Sequence, residues 1–167
     1  NGTNGSNTTI VKSGAINLTA GGYYPLNLAE TNNDPSTSVN TFVWNGVGGT
    51  AWTANTSWTP NVTAGNAPGQ GTNVGVNVII PQVANQPIIA TATSFNLADI
   101  TMGSGAFLTL AGTAGLTVSG NFVNNNYSGT NNGLTYTTTG STVTYTGTSK
   151  IIAAGNYYNI TFNGATT

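Results

Sequence analysis

The side chains able to move a proton or hold a metal are few in this chain. Of 167 residues, only Glu30, Asp34 and Asp99 carry carboxylates and only Lys12 and Lys150 carry amines, with no His and no Cys. General acid–base catalysis needs such groups within hydrogen-bond reach of the reacting atoms. A glycosidase needs two carboxylates across a cleft, whereas Glu30 and Asp34 fall in or beside the polar stretch Thr31 to Ser38. Ser and Thr are abundant, but no His is present to activate them. The inventory predicts a protein that is not an enzyme. Calcium takes about six to eight oxygens, usually with several carboxylates. Glu30, Asp34 and neighbouring Asn carbonyls offer at best a weak site, and a solvated loop is the simpler reading. No metal site and no cofactor is expected.

Two other residue types bear on recognition. Trp44, Trp52 and Trp58 lie close together in sequence, and indole faces stack on sugars, so these are candidate carbohydrate contacts. The competing reading is packing, in which each ring buries ~150–250 Å² and the three anchor a small cap. Eight Asn-x-Ser/Thr sequons give candidate glycosylation sites at Asn1, Asn4, Asn7, Asn17, Asn55, Asn61, Asn126 and Asn159. In a chain so rich in Asn, Ser and Thr, chance alone gives about six. Their abundance therefore follows mostly from composition. Asn17 and Asn159 fall on the outward faces of predicted strands.

The elements that must position these side chains are read from composition and period. Charged residues make up 3% of the chain, against roughly 25% in an ordinary soluble domain. Thr, Asn and Gly supply nearly half of the chain, so the surface is hydrated through hydroxyls and amides. A net charge of −1 with two basic residues excludes the electrostatic footprint of nucleic-acid binding. It also argues against adhesion to anionic lipid. Charge near zero removes long-range repulsion between copies and favours self-association. No stretch approaches the ~20 apolar residues of a membrane span. The chain opens on Asn1-Gly2-Thr3-Asn4 and not on a signal peptide, which reads as a mature product or a section of something longer.

The clearest pattern is a three-residue unit: apolar, Thr or Asn, apolar. It occurs as Ile16-Asn17-Leu18, Leu26-Asn27-Leu28, Phe95-Asn96-Leu97, Ile100-Thr101-Met102 and Leu108-Thr109-Leu110. It recurs as Leu116-Thr117-Val118, Leu134-Thr135-Tyr136, Val143-Thr144-Tyr145 and Ile160-Thr161-Phe162. Period-two alternation sends the flanking side chains to one face and the Thr or Asn to the other. From Ile100 onward the units begin at Ile100, Leu108, Leu116, Leu134, Val143 and Ile160, at near multiples of eight or nine, and the two wide gaps hold Phe122-Val123 and Ile151-Ile152. No segment carries a helical apolar period. The expected class is all-β, with almost no helix. Short strands at this spacing fit a β-solenoid or a β-sandwich. Stacked apolar rows favour the solenoid, while Asn132-Gly133 before Leu134 is a tight-hairpin dipeptide that keeps the sandwich as the alternative.

Three regions are expected: an N-terminal strand or linker over 1–40, a Trp-containing cap or elaboration over 41–75, and a solenoid-like strand array over 76–167. Residues 16–28 also echo residues 150–162 at an offset of 134, sharing Ala-Gly-x-Tyr-Tyr before an alternating strand. Repeats are the usual source of such self-similarity. It would let the end of one copy mimic the beginning of the next. Ile10, Val11, Ile16, Leu18, Ile160 and Phe162 are the candidate self-assembly residues, because strand addition covers an exposed edge.

Trp44-Asn45-Gly46, then Trp52, Asn55 and Ser57-Trp58-Thr59-Pro60, then Val78-Ile79-Ile80-Pro81 and Asn85-Gln86-Pro87, form a pattern that resembles bacterial cell-surface β-helix repeat proteins of extracellular fibres and adhesins. Leu108 to Leu110, Leu116 to Phe122 and Thr142 to Thr148 continue the likeness, which covers about residues 42–164. The resemblance implies a right-handed parallel β-helix, export, and a place in surface fibres. It carries no catalytic residues. The expected function is a structural subunit of an extracellular or cell-surface fibre that associates end to end with copies of itself. The alternative is a carbohydrate-binding adhesin module, with glycans as partners of Trp44, Trp52 and Trp58.

Overall fold

The computed structural model describes residues 41–128, 132–137, 140–147 and 151–164. The N-terminal region 1–40 lies outside them, and with it Ile10, Val11, Ile16, Leu18 and the sequons at Asn1, Asn4, Asn7 and Asn17. The described residues are mostly β. Their only helix is two single 3₁₀ turns, Asn55–Ser57 and Gly71–Asn73.

The strands are β1 (Thr41–Trp44), β2 (Trp58–Thr59), β3 (Val76–Ile80), β4 (Ile88–Ile89), β5 (Ser94–Met102) and β6 (Leu108–Leu110). They continue as β7 (Gly115–Val118), β8 (Phe122–Asn124), β9 (Leu134–Tyr136), β10 (Thr142–Tyr145) and β11 (Asn159–Phe162). A mixed sheet runs in the order β11-β10-β7-β5-β3-β1-β2, with β8 also paired to β5, and a second sheet runs β4-β6-β9. Among the described residues, eight of nine strand pairings are parallel, and only β1 with β2 is antiparallel. Asn132-Gly133 accordingly closes no hairpin onto β9, which lies parallel to β6 instead.

Parallel neighbours need a long connection between them, and the register shows how much chain each connection uses. Phe95 faces Leu116. Val78 faces Ile100, and Ile100 faces Phe122, so these three steps are nearly equal in length. Later steps vary: the one from Leu116 to Val143 is longer, and the one from Val143 to Ile160 is shorter. The eight-residue spacing in the sequence therefore separates successive strands along one pass of the chain, not stacked partners.

Alternation within each strand turns the register into apolar columns. Phe42, Val78, Ile100 and Phe122 stack in one; Phe95, Leu116 and Val143 in another; Val76, Leu97, Val118 and Tyr145 in a third. All are buried, and they belong to one core running from Phe42 to Ala153. The Trp-bearing residues share this core with the strands that follow, because β1 pairs with β3. Between them, the loop after Ala67 closes on β5. Gly69 takes a φ of +91°, and a Cβ there would sit 2.8 Å from the Cβ of Phe95, so only glycine permits the approach.

Candidate functional site

The two edges of the mixed sheet differ, and the difference begins with local pairing. At the β1–β2 edge the antiparallel register sets Trp44 opposite Trp58. Trp52 joins them because its N–H donates to the carbonyl of Ile88 at 3.0 Å. Trp58 meets Trp44 and Trp52 edge-on at 4.9 and 4.7 Å between centroids, and Trp52 also leans on Phe95 at 5.6 Å. Each indole N–H is satisfied: Trp44 donates to Asn85 O (2.7 Å), Trp52 to Pro68 O (2.9 Å) and Trp58 to Trp52 O (2.7 Å). With 0, 1 and 0% of their surface exposed, the three rings present no face on which a sugar could stack. Their geometry is that of packing, where each such ring pair adds about 0.5–1.5 kcal/mol to area burial.

Among the described residues, the β11 edge is open. Its register places Ile160 over Val143 and Phe162 over Tyr145, so both continue buried columns. Yet Ile160 is 39% and Phe162 60% exposed, and no described strand pairs with the outer edge of β11. Much of the last described pass, residues 151–162, is exposed with them, although Ala153 is buried and Tyr157 half-buried. Ile151, whose carbonyl accepts from Phe122 N–H (2.9 Å), is exposed, as are Ile152 and Tyr158. Asn156 N–H donates to Leu134 O (3.0 Å) and Asn159 N–H to Ser141 O (3.1 Å), so residues 151–162 lie on β8, β9 and β10 in turn. An added Cβ on Gly155 would meet that of Leu134 at 2.8 Å, which makes glycine the residue that lets this pass approach β9.

Beneath this pass, Tyr145 and Tyr157 share a 3.0 Å hydroxyl contact. Tyr157 donates its proton to Ala153 O, which leaves Tyr145 as donor to Tyr157, while Ala153 N–H donates to Tyr145. Burial is the first cause that pushes both hydroxyls above their ordinary range. The mutual hydrogen bond raises Tyr157 further.

A polar ladder that the sequence reading missed ties successive passes together. Asn77 Oδ1 accepts the N–H of Asp99 (3.1 Å), Asp99 Oδ1 that of Asn121 (2.6 Å), and Asn121 Oδ1 that of Ile151 (2.9 Å). The detectable signal is Asn, Asp and Asn at a repeated offset of 22. Every buried side-chain polar atom among the described residues has a partner.

The remaining sequons fall in different settings. Asn55, Asn61 and Asn159 are exposed, and Asn159 holds only a 3.4 Å contact to Thr142 Oγ1 through its amide nitrogen. Asn126 is half-buried, and its amide is engaged at both ends, donating to Ala106 O (2.8 Å) and accepting from Gly105 N–H (2.9 Å). Among the described residues no three His, Cys, Asp or Glu side chains converge as metal ligands, and no helix is long and apolar enough to cross a membrane. No family model matches the chain, and neither curated proteins nor solved structures include a match to it.

Proposed function

We propose that this chain is a structural, non-enzymatic subunit of an extracellular or cell-surface fibre, folded as a β-solenoid and joined end to end with copies of itself. One observation carries this reading. Apolar columns that are buried through the earlier strands reach β11 and are exposed there, at Ile160 and Phe162, with no described strand beyond them. An uncapped solenoid propagates unless something stops it, and a heterologous end-to-end contact gives an open filament.

Other features support the architecture. Sandwich sheets are antiparallel, whereas the ladders here are nearly all parallel, with a nearly constant step from β3 through β5 to β7 and β8. The likeness of residues 42–164 to surface β-helix repeats points the same way, and to export. The function is mechanical: backbone bonds and apolar columns continue from one copy to the next while a Thr- and Asn-rich surface stays hydrated.

Cryo-electron microscopy of the native, undenatured protein tests this. Filaments with density continuous between subunits are expected. Discrete monomers at every concentration would sink the proposal.

A further inference from the structure

We infer that the surface covering the β11 edge is residues 16–28 of a second copy, laid down as one further parallel pass. The inference rests on the fibre reading above and specifies its joint.

The exposed last pass is not a lone strand. Residues 151–162 run over β8, β9 and β10 in turn, so a cover must follow all three and be of similar length. Residues 16–28 align with 150–162 without a gap at an offset of 134, with four of the thirteen positions identical. Ala20, Gly21, Tyr23 and Tyr24 repeat Ala154, Gly155, Tyr157 and Tyr158, and Leu18, Leu26 and Leu28 stand for Ile152, Ile160 and Phe162. The matched positions have visible jobs in the last pass. Gly155 permits the close approach to Leu134, and Tyr158 packs edge-on against Tyr136 at 5.7 Å. A sequence that keeps these residues has what another pass of the same path requires. Laid in register, Leu26 and Leu28 extend the columns of Ile160 and Phe162, Asn27 falls beside Thr161, and Tyr24 extends the Tyr136–Tyr158 row. Pro25 stands where Asn159 donates to Ser141 O, so the joint has one backbone bond fewer at that point. Proline is tolerated at the first residue of a strand.

Sequence order selects a second copy over the chain's own N-terminus. Along the mixed sheet β1, β3, β5, β7, β10 and β11 succeed one another in chain order. Residues 16–28 precede β1, so placing them on β11 of the same chain would reverse that order. Placing them on the preceding copy avoids that reversal.

The chain has no Cys, which makes disulfide trapping clean. Paired parallel neighbours fall within the Cα separation of ~4.4–6.8 Å that a disulfide accepts. Full-length Thr161→Cys protein is mixed with Asn27→Cys protein under mild oxidation, with Asn17→Cys as the comparison. Sedimentation of the parent chain is recorded in parallel. The Thr161→Cys and Asn27→Cys pair should give a linked species of twice the 16.9 kDa mass, in about tenfold excess over the Asn17→Cys pair, a ratio equal to ~1.4 kcal/mol. The chain carrying both substitutions should give a ladder of multiples. Assembly of the parent without that linkage would overturn the joint and leave the fibre reading standing. Linkage only within single chains of the doubly substituted protein would overturn it in favour of a fold-back. A parent that never assembles removes the fibre reading and the joint together.

Discussion

Truncating Phe162 to Ala tests whether it acts as an interface residue, as the fibre proposal requires, or as a core residue. The ring lies on Tyr145 with centroids 5.7 Å apart and planes 19° from parallel, yet 60% of it is exposed. Full burial of such a side chain contributes about 1.5–3 kcal/mol. Covering the exposed 60% in a fibre would then contribute roughly 1–2 kcal/mol. Ile160, at 39% exposed, adds roughly 0.6–1.2 kcal/mol. Together the two amount to about 1.5–3 kcal/mol per joint, or roughly ten- to a hundredfold in association. Leu116 belongs to the same column as Ile160 but is 1% exposed. Leu116→Ala should cost about 2–5 kcal/mol of fold stability at any protein concentration.

The assay is sedimentation velocity over a concentration series, with thermal unfolding on the same samples. Phe162→Ala combined with Ile160→Ala should raise the half-assembly concentration by about ten- to a hundredfold. Its Tm deficit should widen with concentration, since association stabilises the parent by mass action. Leu116→Ala should lower Tm by a constant amount. An unchanged half-assembly concentration in the edge variant would refute the reasoning. So would a Tm deficit as large and as constant as that of Leu116→Ala.

Two further outcomes concern the interior. Burial favours the neutral forms of Tyr145 and Tyr157, whose values lie above the ordinary 10.0. Their contribution is therefore complete below pH 10 and is lost as pH rises beyond it, where the unfolded chain ionises and the folded one does not. Tm should fall above about pH 10, and the fall should be shallower in Tyr157→Phe; an identical slope would contradict this account. Asp99→Ala removes the acceptor of Asn121 N–H and should cost about 1–2 kcal/mol in urea unfolding. Asp99→Asn keeps an acceptor there and should cost clearly less, and equal losses would show that the ladder contributes nothing.

The strands were legible because alternation needs only local sequence. Each apolar–polar–apolar unit from Phe95 onward lies on a described strand, and Phe122-Val123, read only as an apolar pair in a wide gap, is β8. Which strand rests on which was not legible. Ile100–Met102, Leu108–Leu110 and Leu116–Val118 look like stacked repeats, but none pairs with another of the three: Ile100 faces Phe122, Leu108 faces Leu134, and Leu116 faces Phe95 and Val143. Stacking is decided by how much chain one pass consumes, and that depends on turns whose Gly, Asn and Ser leave no periodic mark. The Trp residues show the same limit. Trp44, Trp52 and Trp58 sit on separate segments, so their spacing carries no signal of a shared face. Only the antiparallel pairing of β1 with β2 turns Trp44 and Trp58 onto each other. Ile160 and Phe162 were legible only as apolar strand residues and candidates for self-assembly, whereas their exposure, and that of Ile151, Ile152 and Tyr158, depends on where residues 151–162 lie in the sheet.

The scarcity of charge follows from the same stacking. Parallel neighbours lie ~4.7–4.9 Å apart, so like charges at equivalent outward positions would oppose each other by about 0.9 kcal/mol even in water. That penalty would recur at every step of a column. Thr and Asn avoid it and bond along the column instead, as Thr109 and Thr135 do through hydroxyls 3.3 Å apart. Asp99, the one charged residue among those described, is placed consistently with this rule. It sits between Asn77 and Asn121, both neutral, and spends a carboxylate oxygen on a backbone N–H. The proposed joint obeys it as well, because outward Thr161 would meet Asn27 and no charge faces another across the contact. In the proposed fibre, the surface that lets one chain stack its own passes would also be the surface on which the next copy continues the stack.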